Sequence, residues 1–143
     1  MEMHGGSWRV HASAVDDVTL ISKVIENLSC GSKEIFVDRG KSSIGAMQIT
    51  IEAKMNRKAA LKSLKTVSKE SWRKFTEHRW MEKLDSEGNI HIRLELSKLV
   101  LGKSELASDH YAKRVVKGKF KIANFPGEEI ESVARRLYGI LTE

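Results

Sequence analysis

Residues 90–97 read IHIRLELS, apolar and polar side chains in strict alternation. No other feature of the chain restricts its fold as much. A period of two puts Ile90, Ile92, Leu94 and Leu96 on one side of a strand and His91, Arg93, Glu95 and Ser97 on the other. The same period runs through residues 47–53, where Met47, Ile49, Ile51 and Ala53 alternate with Gln48, Thr50 and Glu52, and through residues 8–13. Residues 115–123 predict another strand, with Val116, Phe120 and Ile122 on one face and Lys117, Lys119 and Lys121 on the other. A short strand is expected over residues 33–37. Strands covered on both faces read as continuous apolar runs, and these do not. The simplest architecture is therefore α+β: a two-layer sandwich, a mostly antiparallel sheet with helices packed on one face.

Helical spacing supplies the covering layer. Val18, Ile21, Val24, Ile25 and Leu28 form one stripe, with Asp16 and Asp17 near its start and Gly31 just past its end. Asn56 suits the N-cap of a long helix from residue 57 to about residue 76, with a break foreseen near Ser68. Pro126 and the acids Glu128, Glu129 and Glu131 open a last helix carrying Ile130, Val133, Leu137 and Ile140 on one face. Residues 38–45, DRGKSSIG, read as a polar loop, residues 85–89 as a turn, and residues 102–108 as loop or a short helical turn. One domain is expected over residues 1–143, with residues 1–7 flexible.

A chain of 143 residues, 41% of them hydrophobic, can bury a core of its own. Its single cysteine, Cys30, forms no intrachain disulfide, which fits a reducing compartment. No apolar run has the length of a signal peptide or a membrane span. The expectation is an intracellular, cytoplasmic protein with no membrane partner.

Charge is the second constraint. The chain carries a formal +6, yet residues 54–74 alone hold eight cations and one acid, Glu70. On a helix, Lys58, Lys62, Lys65, Lys69 and Arg73 fall within about 80° of one another. A solvated helix face usually mixes signs; here the cations repel at four-residue spacing. Two readings stay open: a solubilising face, and a ridge that binds phosphates together with Arg57 and Lys74. Residues 113–121, KRVVKGKFK, carry five more cations and no acid. Lys117, Lys119 and Lys121 there read equally as anion contacts or as blunting of a sheet edge.

Little in the sequence suggests catalysis. His4, His11, His78, His91 and His110 have no metal-ligand spacing, and one cysteine builds no zinc site. The segment GKSSIG, residues 40–45, has the wrong order for a phosphate loop but reads as a flexible basic loop with Arg39 and Lys41. No nucleophile elbow or acid–base pair is evident, so no catalytic residue, metal or cofactor is expected. Trp8, Trp72 and Trp80 read as core or interface residues rather than as base-stacking platforms.

Three segments carry a resemblance: VHASAVDDVTLISKVIENL, RGKSSIGAMQITIEAKM and LDSEGNIHIRLELSKLVLG. Over about residues 8–125 the chain resembles a family of small archaeal proteins labelled RNA-binding and proposed as exosome-associated subunits. The matching features are His11 followed by Asp16 and Asp17, Gly45 before a strand ending in Glu52 and Ala53, Ile92-Arg93-Leu94-Glu95, and Gly102. The family's Gly-Asn-Pro is here Gly45-Ala46-Met47, and its Lys-Gln pair is here Leu96-Ser97. The resemblance implies a fold similar to the ribosomal protein that binds five-S rRNA. It also implies RNA as partner, with an RNA-processing complex such as the exosome beside it. The expected function is non-catalytic RNA binding through phosphates, with the basic helix, Arg39, Lys41, Arg93 and the lysine strand as contacts. The alternative is an interaction module, such as a homodimer packed through its open sheet face.

Overall fold

The structure, a computed structural model, describes residues 3–32, 34–41, 44–77, 80–107, 114–123 and 126–143. Five strands, β1 (Met3–Ala12), β2 (Glu34–Lys41), β3 (Met47–Asn56), β4 (Asn89–Glu95) and β5 (Val115–Ile122), form one sheet in the order β2-β3-β1-β5-β4. Every neighbouring pair is antiparallel. Five helices lie against one face: α1 (Val18–Leu28), α2 (Arg57–Thr66), α3 (Lys69–Glu77), α4 (Leu96–Val100) and α5 (Ile130–Thr142). This is the α+β architecture that the alternation implies.

The alternation sets which face is covered. Trp8, Val10, Ile49, Ile51, Ala53, Ile90, Ile92, Leu94, Val116, Phe120 and Ile122 are all buried under the helices. Their sequence neighbours Arg9, His11, Arg93, Lys117, Lys119 and Lys121 are exposed on the opposite side. Phe120 lies over two glycines on the covered face. A Cβ at Gly118 would stand 2.6 Å from the Trp8 ring, and one at Gly6 would overlap the Phe120 ring. Trp8 and Phe120 pack edge to face with centroids 5.1 Å apart.

α1 starts at the Asp17 carboxylate, which accepts the Leu20 N–H at 3.0 Å. Asn56 caps α2 in the same way, accepting the Ala59 N–H at 2.9 Å. α2 crosses β1, and the Ser63 hydroxyl there accepts the Trp8 indole N–H at 2.7 Å and donates to the Leu28 carbonyl at 2.6 Å. That one buried serine ties sheet, α1 and α2 together.

The break foreseen near Ser68 is present: Val67 is extended (φ −69°, ψ 139°), and Ser68 Oγ accepts the Ser71 N–H at 3.1 Å, starting α3 afresh. Three expectations change. The loop over 38–45 is strand as far as Lys41, because β3 from Met47 upward needs a partner and Asp38–Lys41 pairs with it. The strand over 90–97 ends at Glu95, and Leu96 opens α4. β1 begins at Met3, inside the stretch expected to be flexible, because Met3 itself is buried and Gly5 and Gly6 pair with β5. His78, His110, Lys113, and Ser42 and Ser43 of the GKSSIG segment lie outside the described residues.

Candidate nucleic-acid interface

The register turns the open face into a grid. One row across the five strands reads Phe36, Glu52, Arg9, Lys117, Arg93. The next reads Glu34, Lys54, Ser7, Lys119, His91. A third holds Asn56, Gly5, Lys121 and Asn89. Neighbouring strands are about 4.8 Å apart, so Arg9, Lys117 and Arg93 are direct cross-strand neighbours of like charge. Among the described residues none of the three is seen in an ion pair. Acids gather towards β2 and β3, as Glu34, Asp38 and Glu52; cations gather on β1, β5 and β4.

Two histidines share this face. His11 Nδ1 lies 3.0 Å from Thr50 Oγ1. Partial burial, then the charges of Arg9 and Lys117, push the His11 pKa down. His91 Nε2 lies 2.7 Å from Asp85 Oδ2. Asp85 also accepts the N–H groups of Asn89 and Glu87, both at 2.9 Å, and these bonds with His91 hold its carboxyl well below the usual range. Asp85 is thereby occupied in shaping the turn before β4. The Lys121 ammonium donates to the Glu87 carbonyl of the same turn.

The basic segment 54–74 is split between the two sides of the molecule. Lys54 is on the open face, with its ammonium 5.4 Å from the Phe36 ring centroid. Arg57, Lys58, Lys62 and Lys65 are exposed on α2. Lys69, Arg73 and Lys74 are exposed on α3, where Lys74 pairs with Glu70 at 3.4 Å. Arg39 and Lys41, expected in a flexible loop, are exposed on β2 in the phase opposite to Phe36 and Asp38. Arg93, Lys117, Lys119 and Lys121 do come together on the open face. Arg9 and Lys54 belong with them; the alternation at residues 8–13 already put Arg9 in the polar phase, but only the register shows it beside Lys117.

An apolar groove of about 720 Å³ opens between α1 and α4, lined by Leu20, Ile21, Leu96, Val100 and Leu101. At its rim the Arg114 guanidinium donates to both Asp16 oxygens, at 2.7 and 2.9 Å, so its charges are spent on each other. Trp8 and Trp72 are buried and Trp80 packs edge to face on Tyr138, so none offers a face to a base. Among the described residues no group of three His, Cys, Asp or Glu side chains is placed to hold a metal. No helix there is long and apolar enough to cross a membrane.

Neither a protein-family model nor a curated protein matches the chain. Solved structures do. A DUF54 protein from Methanothermobacter thermautotrophicus is 20% identical, with 99% of each chain covered and a TM-score of 0.71. A DUF54 protein from Archaeglobus fulgidus is 20% identical over 94% of this chain and 99% of that one, with a TM-score of 0.75. A UPF0201 protein from Methanococcus jannaschii is 12% identical over 97% and 93%, with a TM-score of 0.57. These archaeal likenesses establish the shared fold.

Proposed function

We propose that the protein is a non-catalytic RNA-binding domain whose contact surface is the open sheet face. The row Arg9–Lys117–Arg93 carries this reading. Like charges directly opposite one another on a sheet destabilise it. Here three cations stand side by side with no acid between them, and Lys119 and Lys121 continue the patch along β5. An external polyanion turns that cost into affinity, because phosphates neutralise the row and release their counterions. The rival, a dimer packed through this face, would set Glu34, Asp38 and Glu52 of one copy against the cations of the other, and it predicts a dimer in sedimentation with no affinity for RNA. The resemblance to proteins labelled RNA-binding supports the same reading and suggests an RNA-processing assembly as its setting.

The test is a titration of labelled single-stranded RNA at low and moderate salt. Wild type binds, and its affinity falls steeply with salt. The Arg9→Gln/Lys117→Gln/Arg93→Gln variant binds more weakly on every sequence, and its salt slope is shallower by about two, from roughly 0.7 per lost phosphate contact. Salt-independent binding, or a triple variant indistinguishable from wild type, rules the reading out.

A further inference from the structure

The basic helix retains its own unexplained charge, on the other side of the molecule. Ala60, Ser63 and Leu64 are the buried residues of α2 and face the sheet. At about 100° per residue, Lys58, Lys62 and Lys65 cluster within about 60° of one another and point nearly opposite to that buried trio. The sheet lies between them and the open face. α2 contains four cations, no acid, and no ion pair seen among the described residues. Arg57 and Lys58 occupy its first turn, where the helix dipole disfavours cations. Lys58 and Lys62 repel each other at four-residue spacing. Neighbouring α3 differs, since it has Glu70 in its first turn, paired with Lys74. So α2 bears two unfavourable electrostatic arrangements that no described side chain relieves.

A helix about 10 Å across, laid on a sheet, puts the lysine tips of α2 some 20 Å from the open-face cations. The Debye length at physiological salt is about 8 Å, so the two patches act as electrostatically separate sites, and phosphates lying on one leave the other unneutralised. We infer that one monomer holds two RNA segments at once, one on the open sheet face and one along Lys58, Lys62 and Lys65. The protein is then a bridge that brings strands together, a role that favours annealing or compaction over sequence readout. Lysines suit this second site, being flexible point charges that carry no base specificity. The inference rests on the RNA-binding reading of the open face, and its test separates the two.

The experiment mixes the full-length protein with two non-complementary single-stranded RNAs, one carrying a donor dye and the other an acceptor. It reads energy transfer, binding stoichiometry, and the mass of the complex by sedimentation. Wild type should bind two RNAs per monomer and give transfer. The Lys58→Gln/Lys62→Gln/Lys65→Gln variant should bind one RNA per monomer and lose transfer, and so should the open-face triple variant. Glutamine keeps helix propensity in the α2 variant and relieves like-charge neighbours in the open-face variant, so circular dichroism should show both folded. Wild type binding only one RNA without transfer overturns the bridge and leaves the open-face site standing. Transfer that survives in the α2 variant overturns it too, because the bridging would then come from a protein dimer. If wild type binds no RNA, both readings fall.

Discussion

The indole N–H of Trp72 donates to the carbonyl of Leu64 at 3.0 Å, across the break between α2 and α3. Leu64 lies in the last turn of α2, where carbonyls lack partners within the helix. The Val67 N–H shares the same acceptor at 3.2 Å. Trp72 is buried and packs edge to face on Phe75, with centroids 5.5 Å apart. Trp72→Phe removes both the hydrogen bond and part of the packing. We expect a loss of about 1–3 kcal/mol in urea denaturation followed by circular dichroism. A change under about 0.5 kcal/mol, the size typical of a surface substitution, would mean the break is set by Ser68 alone.

Arg114 joins the start of β5 to the loop before α1 through Asp16 and the His11 carbonyl. The guanidinium, with the Ser13 N–H, lowers the Asp16 pKa from 3.8 to about 2. A carboxyl with a depressed pKa stabilises the fold above its unfolded value, and that contribution is lost as pH falls from about 4 towards 2. The pair is partly exposed, so about 1 kcal/mol or less is expected. In thermal melts, Arg114→Gln should lower the melting temperature at neutral pH and leave it near wild type at pH of about 2. Equal losses at both pH values would mean that Arg114 acts through packing.

Gly118 has no room for a side chain. A Cβ there would meet Trp8 at 2.6 Å, Phe120 at 2.8 Å and Ile92 at 2.9 Å, all ring or branched atoms of the core. Gly118→Ala should therefore destabilise by about 1–3 kcal/mol, although alanine favours the folded state at unconstrained sites. Gly139 on α5 has open space, so Gly139→Ala serves as the control and should stabilise by up to about 1 kcal/mol. A neutral Gly118→Ala would show that Trp8 can shift.

Strand phase was legible because the period of two survives in IHIRLEL and MQITIEA whatever the neighbours are, and it put Arg9, His11, His91 and Arg93 in the polar phase of their strands before any strand was paired. Strand order was not legible, since nothing local says that β1 sits between β3 and β5. Without that order, Arg9 and Lys117 could not be placed side by side. The break in the basic segment near Ser68 was legible, but its consequence was not. Lysine spacing continues in phase from Lys58 to Arg73, while Val67 and Ser68 divide those cations between two helices. The hydrogen bond from Trp72 back to Leu64 spans the break. The β2–β3 hairpin was shortened because its polar residues Asp38, Arg39, Gly40 and Lys41 mimic a loop on an exposed edge.

The open-face row makes a prediction without any RNA. Lys117 stands opposite Arg9 on one side and Arg93 on the other. Lys117→Gln removes two like-charge contacts, each costing about 0.2–1 kcal/mol. The variant should be more stable than wild type at low salt, and the difference should shrink as salt screens the row. A destabilised variant would mean that the lysine stem packs usefully and that the row carries no electrostatic cost.

His11 reports on the same row through its proton. It shares the open face with Arg9 and Lys117, and both lower its pKa after partial burial has done so. Thr50, its cross-strand neighbour, is uncharged, and Arg114 meets only its carbonyl. A histidine whose folded pKa lies below the unfolded value of 6.5 binds fewer protons when folded. Its contribution to stability is therefore present above about pH 6.5 and declines as pH falls through that value to the lower folded pKa. A phosphate strand on the row would offset the charges of Arg9 and Lys117, so His11 should titrate at higher pH in the complex. Binding then takes up a proton and tightens on acidification. Proton NMR of the His11 ring with and without RNA reads this shift directly, and His11→Gln should flatten the pH dependence of affinity. If RNA binds but the His11 titration does not move, the strand lies elsewhere, and the lysines of α2 become the primary contact.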